Sequence, residues 1–423
     1  MRILVMSDLY PPHYIGGYEL NCHSTVEMLL RRGHEVFVLT SRWGLSRNMV
    51  TDDVHRVLAF APSGISPAGD DSQDPLRLRR RYRQVRRAFA LRKNYRIARL
   101  VLHALKPDVV FVWHMEHVSY LPVLAAQDQH IPTVFRIEDY SLAQLKIHLE
   151  QDASPISRWY RARIIGLGGF DRLNTRRMLP ASKAVMQSYI NAGFPAQDMR
   201  VIPEGIHSGL LIEPGELPDL PEPGQDREIR LLFAGRLVSE KGPDVAIQAL
   251  RHLHEEPSGC HFKLNIVGHG SKEYELQLRN MVARLGLESC VTFAGKLDHD
   301  RLLALYPQYD ALLFTSRWAE PFGITVLEAM ARGLPVISTN CGALAEIISD
   351  GANGLLVPPD EPVMLANAVR RLTQEPALAR GIRRAALQTI REEYVLERIV
   401  DQLEAYLETV ASTRVALGHY PGN

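Results

Sequence analysis

Short apolar runs alternate with longer amphipathic stretches along the chain. Before residue 140 the pattern predicts four strands, at Ile3 to Met6, Glu35 to Thr40, Val109 to Trp113 and Thr133 to Ile137. Leu20 to Arg31 has the spacing of an amphipathic helix, and Gly33 would end it. Strands that alternate with helices are typical of a doubly wound parallel sheet.

The alternation restarts after a segment rich in Pro and Gly, residues 203–226. Six further strands are predicted, at Arg230 to Ala234, Phe262 to Val267, Val291 to Ala294, Ala311 to Thr315, Pro335 to Ser338 and Gly354 to Val357. We therefore expect an α/β protein of two Rossmann-like domains, residues 1–205 and 206–395, with a linker at 206–227. Ligands of such sheets bind at the carboxyl ends of the strands, here in a cleft between the domains. A last helix is predicted at Leu396 to Val410.

Composition and charge argue against several classes of partner and indicate a cellular compartment. The 423 residues are 46% hydrophobic, and 49 Lys and Arg stand against 48 Asp and Glu, which argues against a nucleic-acid binder. Four widely spaced cysteines without a C-x-x-C pair argue against a zinc site and a disulfide framework. The N-terminal residues lack the apolar stretch of a signal peptide, and no apolar run reaches ~18 residues, so we expect a cytoplasmic protein.

One segment is strongly basic against this neutral background. Residues 76–99 contain ten Arg, one Lys and no acidic residue, with apolar residues at helical spacing. Two interpretations stay open. The segment could hold the protein at the inner face of a membrane or capture an anionic acceptor. Alternatively it is an outer helix whose long Arg side chains cover the sheet.

Two carboxylates eight positions apart are the most specific candidates for a site. Glu320 lies on a loop marked by Pro321 and Gly323, and Glu328 lies in a helix predicted at Ile324 to Arg332. The free N–H groups of a helix N-terminus suit a phosphate, and the carboxylates could accept hydrogen bonds from sugar hydroxyls. The alternative is that both are solvated surface acids.

A pair of cations, Arg236 and Lys241, follows the first strand of the second domain. Across a tight turn they can converge on one anion, and a guanidinium with an ammonium suits a diphosphate. Plain surface cations are the alternative, but cations at the start of a helix oppose its dipole unless an anion is bound. Gly16 and Gly17, after the first strand, either let a ligand approach the backbone or only form a turn.

Together these features resemble the GT-B retaining glycosyltransferases of family 4, over nearly the whole chain. The resemblance rests on segments in the family's order: MSDLYPPHYIGGYE, RRGHEVFVLT, AS with VIPEGI, FAGRLVSEKG, SRWAEPFGITVLEAMARGLPVI, CGALAEII and DGANGLLVPP. In that family two Rossmann-like domains face each other across a cleft, and the final helix crosses back to the first domain. Residues 396–423 would do so here. The resemblance implies that residues 1–205 form the acceptor-side domain and residues 206–395 the nucleotide-sugar donor domain.

The resemblance implies a role for each candidate residue. Arg236 and Lys241 would hold the donor diphosphate. Glu320 would face the transferred sugar, and Glu328 would bind the ribose hydroxyls. The remaining contacts would come from the backbone, at Gly16, Gly17, Phe322, Gly323 and Ile324.

One position departs from the family pattern. In IPTVFRIEDY, Glu138 stands where relatives commonly have a His before Asp139. Glu138 would either contact the sugar near its anomeric carbon or only pair with a neighbour such as Arg136. If the register differs, His114 or His117 supplies the imidazole instead.

We therefore expect an enzyme that moves a hexose from a nucleotide diphosphate sugar, a UDP- or GDP-sugar, to a small-molecule, glycan or lipid-linked acceptor. The resemblance implies retention at the anomeric carbon. Because cations would stabilise the leaving group, no metal or other cofactor is expected. Two alternatives stay open, a phosphorylase or epimerase on the same fold and a nucleotide-sugar-binding protein without catalysis.

Overall fold

The computed structural model describes residues 1–51, 53–60, 77–151, 170–213, 215, 217, 227–255 and 260–417. Its internal contacts divide the chain into two units. The first unit comprises Met1–Ala181, Val185–Ile202 and the chain from Val400, and the second comprises Ser182–Ala184 and Pro203–Ile399. Just after the boundary between Ile202 and Pro203, Ile206 forms a parallel bridge to Val395. The start of the expected linker therefore belongs to the second unit.

A seven-stranded sheet forms the centre of the first unit. Its strands are β1 (Arg2–Met6), β2 (Glu35–Ser41), β3 (Met49–Val50), β4 (Val54–Leu58), β5 (Val109–Val112), β6 (Thr133–Ile137) and β7 (Met178–Pro180), in the order β3-β4-β2-β1-β5-β6-β7. All neighbours are parallel except β3 and β4. The central strand β5, and β1 after Arg2, are apolar because both of their faces are buried. The strand order reverses between β1 and β5, which makes their carboxyl ends the expected ligand position.

In the described part of the chain, six helices accompany the first sheet. They are α1 (Gly17–Arg31), α2 (Arg77–Leu105), α3 (Leu121–Gln127), α4 (Ser141–Gln151), α5 (Lys183–Asn191) and the C-terminal helix, which we call α13 (Leu396–Leu417). The basic segment therefore belongs to a helix, but the side chains of residues 77–90 lie outside the described part. Farther along α2, Leu91, Ala98 and Leu102 are buried.

Ion pairs join the C-terminal helix to the first unit. Arg32 binds Asp401 at 2.6 Å and Glu404 at 2.5 Å, and His34 Nε2 lies 2.6 Å from the other oxygen of Glu404. The apolar side chains of Leu403 and Leu407 on the same helix are buried. Both kinds of contact explain why the chain from Val400 belongs to this unit.

The second unit contains a six-stranded sheet that is parallel throughout. Its strands are β8 (Arg227–Ala234), β9 (Cys260–Val267), β10 (Val291–Gly295), β11 (Ala311–Phe314), β12 (Val336–Thr339) and β13 (Leu355–Val357), in the order β10-β9-β8-β11-β12-β13. The helices are α6 (Pro243–Glu255), α7 (Lys272–Arg284), α8 (His299–Leu305), α9 (Ile324–Ala331), α10 (Leu344–Ile347), α11 (Pro362–Gln374) and α12 (Pro376–Glu393). Here the strand order reverses between β8 and β11, and their carboxyl ends meet at one edge.

Candidate active site

The reversal point of the second sheet holds three of the residues singled out from the sequence. Arg236 and Lys241 follow β8, and Glu320 follows the neighbouring strand β11. Lys241 Nζ lies 2.5 Å from Glu320 Oε1, with their side chains 20% and 6% exposed. Arg236 is exposed and forms no ion pair within the part of the chain that the structure describes. The fold thus brings two cations and one buried carboxylate to the same sheet edge.

Close backbone packing fixes the loop that carries both cations. Gly242 has φ +65°, and a Cβ there would lie 2.1 Å from the carbonyl oxygen of Thr315. The hydroxyl of Thr315 donates to the carbonyl oxygens of Lys241 at 3.1 Å and Gly242 at 2.7 Å. Only glycine fits this approach, so the end of β11 sets the position of the Lys241 backbone.

Arg317 ties the same two loops together, although the sequence analysis did not single it out. Its guanidinium donates to both carboxylate oxygens of Asp244, at 2.8 and 2.6 Å, and also binds Asp360. Burial would raise the pKa of Asp244, but the bonds from Arg317 outweigh it and lower that pKa. Such a bidentate pair holds the loop after β11 against the start of α6.

Glu328 is buried on α9 with two partners. Its Oε1 lies 2.6 Å from Nε2 of His299, and its Oε2 accepts a hydrogen bond from Tyr306 at 3.3 Å. The bond to Glu328 raises the pKa of His299, whose side chain is 47% exposed. Glu328 is therefore not a solvated surface acid, and His299 is a partner of this candidate residue that sequence reasoning missed.

A glycine with positive φ precedes α9. Gly323 precedes the helix with φ +128°, and a Cβ there would lie 3.0 Å from Leu344 Cδ2. Phe322 is 4% exposed, and its ring meets that of Tyr394 edge to face at 5.8 Å. Its side chain therefore packs in the core, which leaves the backbone of Phe322, Gly323 and Ile324 for any ligand contact. Those contacts stay a prediction.

In the first unit, Gly16 and Gly17 lie at the start of α1. A Cβ at either position would meet no atom within 4 Å, and neither residue has a positive φ. The carboxylate of Glu19 accepts a hydrogen bond from the Gly16 N–H at 3.0 Å. Packing within the chain thus requires glycine at neither position, which agrees with the ligand interpretation without testing it.

Glu138 is buried at the end of β6. Its Oε1 accepts hydrogen bonds from Arg136 Nε and Asn21 Nδ2, both at 2.8 Å. Its Oε2 has no hydrogen-bond partner in the described chain, and burial raises the pKa of this carboxyl to about 7 despite the opposing effect of Arg136. The pairing with Arg136 that one interpretation expected is present. A contact with sugar stays a prediction.

An imidazole also lies at this edge, after the neighbouring strand β5. His114 Nδ1 is 3.0 Å from Asp8 Oδ2, and its Nε2 is 3.3 Å from Asp139 and 3.5 Å from Glu116. His117 Nδ1 binds the same Asp8 oxygen at 2.8 Å. Asp8 follows β1, so these groups meet at the reversal point of the first sheet.

Asp8 and His114 each stabilise the charged form of the other. Burial opposes the charged forms of Asp8 and His114, but their mutual bond outweighs it. The pKa of Asp8 falls to about 2, and that of His114 rises well above its ordinary value, aided by Glu116. Sequence reasoning named both histidines but missed Asp8, because only the sheet order brings residues so distant in the chain together.

Two sets of side chains in the described residues have ligand atoms close enough for a metal ion. One is Asp8, His114 and His117, and the other is His34, Glu404 and Glu408. Imidazole and carboxylate groups suit zinc. In the first set, however, backbone N–H groups of His117 and Val118 already bind both oxygens of Asp8, at 2.8 and 2.9 Å.

Comparison with known proteins identifies the family. Residues 15–209 match the model for "Glycosyltransferase Family 4", and residues 221–389 match that for "Glycosyl transferases group 1". The chain belongs to the group 1 glycosyltransferases of family 4. The glycosyltransferase is 29% identical over 402 residues to a protein named glycogen synthase from Mycobacterium tuberculosis, covering 93% of this chain and 91% of that protein. It is 32% identical over 231 residues to a D-inositol 3-phosphate glycosyltransferase of Acidothermus cellulolyticus, covering about half of each chain.

Solved structures share the fold of this glycosyltransferase. HepE of Anabaena superposes with a TM-score of 0.67 at 20% identity, over 96% of this chain and 99% of that one. The expected fold class, GT-B, is thereby confirmed. Among the described residues, no helix has both the length and the apolarity that crossing a bilayer requires.

Proposed function

We propose that this glycosyltransferase moves a hexose from a UDP- or GDP-sugar to an acceptor hydroxyl, with retention at the anomeric carbon and without a metal ion. The observation that carries the proposal is the arrangement at the reversal point of the second sheet. There Lys241 and Glu320 form a largely buried ion pair beside the exposed Arg236. The HepE structure with UDP and glucose supports a nucleoside diphosphate sugar as donor.

Arg236 and Lys241 would hold the diphosphate. A lysine ammonium has three N–H donors, and Glu320 takes one of them, so Lys241 retains donors for a phosphate. The partial positive charge at the start of α9 adds to theirs. These groups supply the positive charge that a metal ion would otherwise bring to a leaving diphosphate, which is the argument for metal independence.

The two glutamates would bind different parts of the donor. Glu320, beside Lys241, is placed to accept a hydrogen bond from the transferred sugar. Glu328, on the helix, would accept bonds from the ribose, in competition with the half-exposed His299 that now occupies its Oε1. Displacing that histidine would leave Tyr306 bound to the other oxygen and keep the carboxylate in position.

The reaction follows from these charges and from the family resemblance. The acceptor oxygen forms a bond to the anomeric carbon on the face from which the diphosphate leaves. The bond between that carbon and the phosphate oxygen breaks, and the acceptor proton passes to the departing diphosphate. Negative charge grows on the diphosphate during this step, so Arg236 and Lys241 stabilise the transition state more than the bound donor.

The test uses a sugar donor from which the protein releases nucleotide. Proton NMR at early times then gives the anomeric configuration of the product. We expect the anomeric configuration of the donor to persist, with a rate that dialysis against EDTA leaves unchanged. An inverted product would contradict retention, and a rate restored only by added metal would contradict metal independence. A parallel reaction with free phosphate and no acceptor checks the phosphorylase alternative, which would yield a sugar phosphate.

A further inference from the structure

Four aromatic rings form a row at the carboxyl edge of the first unit's sheet. His117 and Phe60 stack with centroids 4.9 Å apart and planes 6° apart. Phe60 lies 6.0 Å from Trp43, and Trp43 lies 6.0 Å from His13. We call these four residues the aromatic row. They follow β5, β4, β2 and β1 respectively, so four separate loops contribute to one surface.

Within the described residues, only Phe60 of the row packs against the hydrophobic core. Trp43 is 42% exposed, and the other three side chains are only partly buried. The loop that carries His13 is nevertheless fixed, because the buried Arg56 donates to the carbonyl oxygens of Tyr10 at 2.8 Å and of Pro11. Small-molecule sites are lined mostly by apolar and aromatic side chains, with a few polar groups that fix the orientation of the ligand.

The inner end of the row meets the charged cluster. His117 shares the Asp8 carboxylate with His114, whose Nε2 faces Asp139 and Glu116. Carboxylates and imidazoles bind hydroxyl groups as acceptors and donors. The carboxylates of Asp8, Asp139 and Glu116 outnumber the charged His114, so this end of the row disfavours a phosphate.

We propose that the aromatic row is the acceptor subsite, and that it takes a neutral sugar whose ring lies against Trp43 and Phe60. The weakly positive C–H groups of a pyranose face suit the negative face of an aromatic ring, and its hydroxyls would reach the cluster at His117. This inference rests on the proposed function and specifies its acceptor. Arg42 and Arg47 are exposed on the Trp43 loop and would favour a phosphorylated sugar instead, so the test includes one.

The experiment titrates the full-length protein without donor, using saturation-transfer NMR. The probes are methyl α-glucoside, methyl α-mannoside and methyl β-galactoside, with glucose 6-phosphate and mannose 6-phosphate as charged counterparts. We expect at least one neutral glycoside to bind more tightly than either phosphate. Trp43→Ala should weaken it on the order of tenfold, whereas Trp43→Phe, which keeps a ring, should stay within about threefold of wild type.

Two controls separate this subsite from the donor site. Leu276→Ala removes another exposed apolar side chain, on α7, and should leave glycoside binding unchanged. The affinity of Trp43→Ala for UDP and GDP should match that of wild type. A failure of wild-type protein to release nucleotide from any donor would refute the proposed function but not glycoside binding on the row.

Four results would overturn the inference. They are no neutral glycoside bound by wild type, tighter binding of the phosphates, an unchanged affinity in Trp43→Ala, and a loss of UDP or GDP affinity in that variant. The last result would assign the row to a nucleobase instead.

Discussion

Lys241→Met removes the ammonium group from the ion pair with Glu320 while keeping the apolar stem of the side chain. The Glu320 side chain is only 6% exposed, so the variant leaves a buried carboxylate without its charged partner. Losing a hydrogen bond to a buried charged group costs about 2–3 kcal/mol of unfolding free energy. For a unit of this size each kcal/mol lowers Tm by about 2–4 °C, so we expect a loss of roughly 4–12 °C.

A double variant tests the cause of that loss. In Lys241→Met with Glu320→Gln both charges are absent, and a neutral amide takes the place of the orphaned carboxylate. Removing both members of a buried pair costs less than removing one, so the double variant should melt above Lys241→Met. Thermal unfolding of wild type, both single variants and the double variant, at one pH and salt concentration, measures these differences.

Arg236→Ala is the matched control for stability, because Arg236 has no ion pair within the described chain. It should leave Tm near the wild-type value. Both Arg236→Ala and Lys241→Met should lower kcat on the order of 10²-fold, since both cations would stabilise the leaving diphosphate. Wild-type turnover in either variant would remove that residue from the site. A Tm of Lys241→Met equal to wild type, or a still lower Tm in the double variant, would refute the account of the pair.

Three further predictions concern the remaining charged groups. Glu328→Ala should chiefly weaken UDP or GDP binding, and Glu320→Ala should chiefly slow transfer; equal losses in calorimetric titrations with nucleotide alone would contradict the division. Glu138→Gln should lower turnover at least ~10-fold. Unchanged turnover would exclude Glu138 from the site. Because the folded-state pKa of Glu138 is raised to about 7, wild type should lose stability as the pH rises from about 4.5 through 7, and Glu138→Gln should lose less over that range. For His114 the folded-state pKa is also raised, so its stabilisation is complete below about pH 6.5 and is lost as pH rises through the folded-state value. The Tm deficit of His114→Gln should therefore be largest in acid and narrow in alkali, and a deficit independent of pH would argue against the ion pair with Asp8.

The central strands could be predicted from the sequence because burial on both faces demands uninterrupted apolar runs. Ile3 to Met6 and Val109 to Trp113 are such runs, and the structure has strands there. The strand β4, VHRVL, was missed because its Arg56 is polar. That arginine is buried only because it binds backbone carbonyl oxygens of the first loop, which no local pattern reveals.

Local motifs likewise predicted part of the candidate site. Arg236, Lys241 and Glu320 stand in recognisable segments, and the sheet order brings them to one edge. The partners Asp8 and His299 were not predicted, because Asp8 meets His114 and His299 meets Glu328 only through folding. An expectation built on strand order would have found Asp8, since it follows β1, next to β5 in the sheet.

The most direct test of the proposed function is nucleotide release from a panel of UDP- and GDP-sugars, measured for wild type and Arg236→Ala at equal concentration. Wild type should release nucleotide from at least one donor, and faster when an acceptor is added, whereas Arg236→Ala should be slower on the order of 10²-fold. Binding of a nucleotide sugar without any release, or equal release by the two proteins, would contradict the proposed function.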